Sequence, residues 1–142
     1  MLLDPGNGAV RRTLLAVVER YEAAFPGQIA AYYLVGSQAD ASAVATSDID
    51  VVIIFAVPMT AAQQREALSI WADATTTAER EVDLSIETRD ALSAGAPPQL
   101  KLGGRLLYGQ DVLQTLPLIP LEAWTRDRMH AACWLLAHVY ER

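Results

Sequence analysis

Two aspartates, Asp48 and Asp50, alternate with apolar residues at the start of an apolar run that continues to Phe55. Because successive side chains of a strand point to opposite faces, the two carboxylates are predicted to lie on the same face. Such a pair repels unless a cation lies between the charges, and Mg²⁺ prefers oxygen ligands of this kind. The spacing therefore predicts a metal site. The alternative is a structural pair, held at a strand end by backbone N–H groups or by arginine.

A glycine and a serine, Gly36 and Ser37, end an earlier apolar run that begins at Ile29. Glycine lets the backbone approach a ligand closely, and a serine with free backbone N–H groups can hold phosphate oxygens. Together with the two acids, this pair predicts metal-assisted handling of a nucleoside triphosphate.

Gly36-Ser37, ten intervening residues and then Asp48-x-Asp50 resemble the signature of the polymerase-beta-type nucleotidyltransferase superfamily, in particular its minimal and aminoglycoside-modifying branches. The resemblance covers residues 29–111. It implies a third carboxylate from a later strand, and Asp83 is the candidate, because residues 81–86 are the only later stretch in which acids alternate with aliphatic side chains.

The resemblance implies a role for each of these residues. The predicted catalytic and metal-binding residues are three aspartates: Asp48, Asp50 and Asp83. The predicted nucleotide-binding residues are Gly36, Ser37 and Ser47, of which the first two would hold the terminal phosphates. Mg²⁺ is the expected cofactor, with ATP or another nucleoside triphosphate as substrate.

Asp83 has two possible roles, binding a second metal or taking the proton of an acceptor hydroxyl. Its structural alternative is a solvent-facing acid on an edge strand. Glu81 and Glu87 are predicted on the same face as Asp83 and are the substitutes for it.

The composition is that of one globular domain, with 142 residues, 52% hydrophobic and 20% charged. The net charge is -6 and the basic residues form no run, which argues against nucleic acid as the main partner. The single cysteine, Cys133, excludes an internal disulfide and suits a reducing compartment. No apolar segment reaches membrane-spanning length and residues 1–8 do not form a signal peptide, so the predicted location is the cytoplasm.

The periodicity predicts an α/β (α+β) fold, a small mixed sheet flanked by helices. Helices are predicted over 9–25, with Leu14 and Leu15 on its apolar side, and over 61–75, with Leu68, Trp71 and Ala72 on one side and Thr60 as N-cap. Strands are predicted over 29–35, 51–57, 82–86 and 105–108. The nucleotidyltransferase core is predicted to span residues 1–115.

Residues 116–142 are predicted to form a proline-flanked linker and a C-terminal helix with a broad apolar surface. The helix is interpreted as the start of a helical domain, as an interface between two copies of the chain, or as a docking surface for a protein partner.

The resulting hypothesis is a magnesium-dependent nucleotidyltransferase that moves a nucleoside monophosphate, AMP from ATP, to a hydroxyl of an aminoglycoside-like small molecule or of a protein. The alternative is an antitoxin-type minimal nucleotidyltransferase, or a non-catalytic binding module, that neutralises a HEPN-type toxin.

Overall fold

The computed structural model describes residues 8–36, 49–77, 82–120, 122, 125–126 and 129. Its elements, in chain order, are α1 (Gly8–Ala24), β1 (Ile29–Val35), β2 (Ile49–Phe55), α2 (Ala61–Thr77), β3 (Val82–Thr88), α3 (Arg89–Leu92), α4 (Pro98–Lys101), β4 (Arg105–Gly109) and a 3-10 helix (Leu113–Thr115). The predicted α+β fold, a mixed sheet with flanking helices, is confirmed.

The strands form one 4-stranded sheet in the order β3-β2-β1-β4. β1 is antiparallel to both β2 and β4, whereas β2 and β3 are parallel. The two central strands are buried along almost their whole length, which explains why their sequences read as continuous apolar runs.

α1 and α2 cover the first face of the sheet. Residues of α1 such as Val10, Leu14 and Tyr21 pack there against Ile53 and Phe55 of β2. The Tyr21 hydroxyl donates a hydrogen bond of 2.9 Å to the backbone carbonyl of Ala67 in α2, which ties the two helices together. The prediction for Leu15 is wrong, because this side chain is 40% exposed, on the far side of the helix from that stripe.

The predicted apolar side of α2 is correct at one of three positions. Trp71 packs against the core, but Leu68 is 55% exposed and Ala72 is also exposed. The buried side consists of Ala67 and Ala74, together with partly buried Ile70 and Trp71. Alanine suits these buried positions because its small side chain lets α2 come close enough to α1 for the Tyr21 hydrogen bond.

The start of α2 is capped as predicted. Gln63 donates its backbone N–H to Thr60 Oγ1 at 3.2 Å, and Thr60 donates its own N–H to Gln63 Oε1 at 2.9 Å. This reciprocal capping box satisfies two backbone donors that the first helical turn leaves without partners.

The second face of the sheet is covered by α3, α4 and the segment after β4, and one buried tyrosine joins that cover to β1. Tyr33 donates a hydrogen bond of 2.7 Å to Asp111 Oδ1 and accepts one of 2.8 Å from the backbone N–H of Val112. Burial, and then the bond to Asp111, raise the pKa of Tyr33 to about 12, so its hydroxyl remains a donor at neutral pH. Leu113 also donates its N–H to Asp111 Oδ1, at 3.2 Å.

The segment predicted as a linker packs on this second face. Ala96 donates its N–H to the carbonyl of Pro117 and accepts from the N–H of Ile119, and Leu116 is buried. The division at residues 115 and 116 stays a prediction, and the predicted C-terminal helix lies almost wholly outside the described residues. Within the described ranges, no helix is long and apolar enough to cross a bilayer.

We expect Tyr33→Phe to lower the free energy of unfolding by about 1–3 kcal/mol, because the buried Val112 N–H loses its acceptor and Asp111 loses a donor. Urea denaturation measures the change. Tyr108→Phe is the matched control, because Tyr108 is 37% exposed and contributes a ring contact with Tyr32 that phenylalanine retains. Equal midpoints for the two variants would contradict the prediction.

Candidate active site

The sheet register places two acids side by side. Asp50 of β2 lies opposite Val35 of β1 and, in the parallel pair, opposite Asp83 of β3. Neighbouring strands lie about 4.8 Å apart, and paired residues point to the same face. Both carboxylates therefore project from the second face of the sheet, where Val35 and Val52 form its core beneath α4.

Gly36 brings the end of β1 against one of these carboxylates. Its φ is +72°, a conformation that residues with a side chain rarely adopt. A Cβ built on Gly36 would lie 2.7 Å from Asp50 Oδ2. The absence of a side chain at position 36 is thus what lets the Asp50 carboxylate approach the backbone.

An open pocket of about 190 Å³ lies in front of the two acids. It is lined by the ends of β1 and β2, by β3 and by one residue of α4: Val35, Gly36, Asp50, Val51, Val52, Asp83, Ser85 and Gln99. Asp83 and Ser85 are exposed, and Asp50 is partly so. The lining combines three valines with four polar side chains, those of Asp50, Asp83, Ser85 and Gln99.

The pocket is negatively charged in the part of the chain that the structure describes, since two aspartates line it and no lysine, arginine or histidine does. Two adjacent carboxylates attract a hard cation. The described residues contain no group of three or more metal-ligating side chains. Mg²⁺ in phosphate-handling sites is held by one or two carboxylates plus phosphate oxygens and water, so the donor set fits that ion.

Three of the six residues predicted for the site come together in this pocket: Gly36, Asp50 and Asp83. The other three, Ser37, Ser47 and Asp48, lie outside the described residues. The catalytic and binding roles of all six stay predictions.

Of the two substitutes for Asp83, Glu81 also lies outside the described residues, and Glu87 does not line the pocket. Glu87 is half-buried, four residues beyond Asp83 along β3, and lies opposite Ile54. Burial raises the pKa of its carboxyl group.

Two polar residues of the pocket, Ser85 and Gln99, were not among the predicted site residues. Ser85 had a usable signal, because it follows Asp83 by two residues on a strand and so must share its face. Gln99 had none. It reaches the pocket only because α4 folds over the second face of the sheet.

A family model described as nucleotidyltransferase domain matches residues 10–106. Because the match spans more than half of the sequence, this chain belongs to the nucleotidyltransferase domain family, and its enzyme class is nucleotidyltransferase. No curated protein sequence matches the chain significantly.

A solved structure agrees with this assignment at the level of the fold. The chain is similar to spectinomycin adenyltransferase AAD(9) from Enterococcus faecialis, solved with ATP and spectinomycin, with a TM-score of 0.69 and 17% identity over 89% of this chain and 67% of that one. It is also similar to a chain of a complex between a tri-AMPylated HEPN toxin and an MNT antitoxin from Shewanella oneidensis, with 17% identity over 90% of each chain. The TM-score of that second match, 0.45, is too low to establish a shared fold.

We expect Gly36→Ala to weaken Mg²⁺-dependent ATP binding by at least tenfold. The added methyl group would displace the Asp50 carboxylate, whose Oδ2 is 2.7 Å from the Cβ position. The stability cost should be modest, roughly 1–2 kcal/mol for a left-handed non-glycine residue, because the displaced carboxylate can swing away. Isothermal titration calorimetry with ATP and urea denaturation measure the two effects separately.

Gly27→Ala is the matched control for this experiment. Gly27 has nearly the same φ, +71°, but nothing lies within 4 Å of its Cβ position. Both variants should therefore lose similar stability, and only Gly36→Ala should lose ATP binding. ATP affinities that fall equally, or not at all, would show that the carboxylate position is irrelevant.

We expect Glu87→Gln to raise the free energy of unfolding at pH 7. The folded-state pKa of Glu87 lies above its ordinary value of 4.5, so folding favours the protonated form, and stability is lost as pH rises through that folded pKa. Glutamine imitates the protonated form. The gain in stability of the variant should consequently vanish below pH 4.5. Urea denaturation midpoints measured across this pH range test the prediction. Glu66→Gln, at an exposed position, is the control.

Proposed function

We propose that this chain transfers AMP from ATP to an acceptor hydroxyl in a Mg²⁺-dependent reaction. The observation that supports this most directly is the pairing of Asp50 with Asp83 beside Gly36, at the rim of one open pocket. The adenyl group is proposed by analogy with the Enterococcus protein, which was solved with ATP.

The chemistry requires an oxygen nucleophile and a place for its proton. In the proposed reaction the acceptor oxygen attacks the α-phosphorus, the bond from that phosphorus to the bridging oxygen breaks, and pyrophosphate leaves with the electron pair. Asp83 accepts the proton of the acceptor hydroxyl. Its side chain is exposed and lines the pocket, so an acceptor can reach it from solvent and the proton can pass on to water.

Asp50 would hold the metal, with Asp48 as the further ligand that the sequence predicts, which leaves the Asp83 carboxylate to act as the base. Mg²⁺, when bound, supplies positive charge that offsets the charge developing on the leaving pyrophosphate. Asp50 then has a positioning role, because its carboxylate lies against the Gly36 backbone and keeps the metal-binding oxygens next to the predicted phosphate-binding turn.

The acceptor class is proposed as a small hydroxylated molecule, by analogy with the neighbour solved with spectinomycin. A protein hydroxyl is the second class. It is the acceptor that the antitoxin hypothesis requires, and the partner would be a HEPN-type toxin docked on the predicted C-terminal helix.

The test is Mg²⁺-dependent ATP binding and AMP transfer in Asp50→Asn and Asp83→Asn. Asn has the shape of Asp but no charge, so we expect Asp50→Asn to weaken ATP binding in Mg²⁺ by roughly tenfold or more. Asp83→Asn should lower turnover by roughly a hundredfold or more, because the proton acceptor is lost. Calorimetry measures the first effect and pyrophosphate release the second.

Asp90→Asn, at the exposed start of α3, makes the same change outside the pocket and should leave both quantities unaltered. ATP binding that is equal in the native chain and both pocket variants, or absent from all of them, would favour the non-catalytic binding module.

A further inference from the structure

We propose that Gln99 binds the β- and γ-phosphates of the nucleotide, so that a neutral amide donor on α4 takes the place that a basic side chain has in many phosphate sites. This inference rests on the proposed function and adds to it a nucleotide-binding residue that no sequence motif marks.

The order of the strands in the sheet indicates which end of the pocket would face the acceptor and which would face the pyrophosphate. In-line displacement requires the acceptor and the leaving pyrophosphate on opposite sides of the α-phosphorus. Gly36 at the end of β1, Asp50 on β2 and Asp83 on β3 lie in a row about two strand spacings wide, roughly 10 Å. With the acceptor beside Asp83 at the β3 end, the pyrophosphate extends toward the β1 end, where the Gly36 backbone lies.

Gln99 enters the pocket from the β1 end. α4 packs against β1 and the 3-10 helix, whereas α3 packs against β3. The side chain of Gln99 therefore comes from the element that covers the same strand as the Gly36 turn.

Few side chains that line the pocket can donate a hydrogen bond to a triphosphate. Among the described residues of the pocket, only Ser85 and Gln99 have side-chain donors, and none is basic. Ser85 lies on β3 next to Asp83, at the acceptor end. The Gln99 amide offers two N–H groups at the other end. Because it is neutral, it can bind phosphate without forming an ion pair with Asp50 or Asp83.

The two residues that follow Gln99 are anchored in the fold. Leu100 is buried in the core of the second face. The Nζ group of Lys101, the chain's single lysine, donates to the carbonyl of Leu113. Within the described part of the chain, no hydrogen bond engages the Gln99 side chain itself. An anchored chain segment with an available amide is the arrangement that a ligand-binding residue requires.

The test compares Gln99→Ala and Gln99→Glu in the full chain, with Mg²⁺ and three probes: ATP, AMP and inorganic pyrophosphate. We expect Gln99→Ala to lose roughly tenfold in affinity for ATP and pyrophosphate, since a donor to a charged group is removed, and little for AMP, which lacks the β- and γ-phosphates. Gln99→Glu has the same size and should lose more, because its carboxylate repels phosphate.

Gln114→Glu is the control, because this exposed glutamine of the 3-10 helix lies outside the pocket and undergoes the same change of charge. It should bind all three probes like the native chain, and unchanged urea midpoints will show that every variant folds. Native affinity for ATP and pyrophosphate in both Gln99 variants, or an equal loss for AMP, would overturn the inference alone. A native chain that binds no ATP would overturn the proposed function, and this inference with it.

Discussion

The parallel pairing of β2 with β3 is the constraint on which the candidate site depends. It sets Asp50 opposite Asp83, so that two carboxylates project from the same face one strand spacing apart. A shift of the register by one residue would turn Asp83 toward α1 and α2 and bring Leu84, now part of that core, into the pocket. The apolar contacts of Val82 and Leu84 with the first-face core therefore maintain the position of the acid.

The two faces of the sheet are covered by different kinds of element. The first face is closed by two long helices, whose tyrosine and alanine contacts bring them close together. The second face is closed only in part, by short elements that depend on the hydrogen bonds of Tyr33 with Asp111 and Val112. Among the described residues, this cover leaves Asp50 and Asp83 facing an open pocket, whereas Tyr33 and Ile54 on the same face are buried beneath it.

The fold survives large sequence change, as the match to the Enterococcus adenyltransferase at 17% identity illustrates. A pattern of apolar runs and helical stripes is enough to specify a mixed sheet with flanking helices, since many side chains fill a core equally well. The residues that differ between such proteins are free to set the acceptor and the partner. Function in proteins that share a fold depends on the residues of the site rather than on the fold itself.

Much of this protein followed from the sequence by itself: the mixed α+β fold, the Thr60 cap, the presence of Gly36, Asp50 and Asp83 in one pocket, and the approximate positions of the strands. The prediction of a strand over 51–57 was displaced by two residues, since β2 is Ile49–Phe55. The strands and the cap are local features, because alternation along a strand and capping involve residues close in the chain. The shared site of the three residues was instead implied by the family resemblance. The tertiary structure alone decided the buried sides of α1 and α2, which depend on how the helices fit together and which left Leu15 and Leu68 exposed. It also decided the strand order, the register that pairs the two acids and the arrival of Gln99 from α4, since contacts between distant segments carry no periodic signal in the sequence.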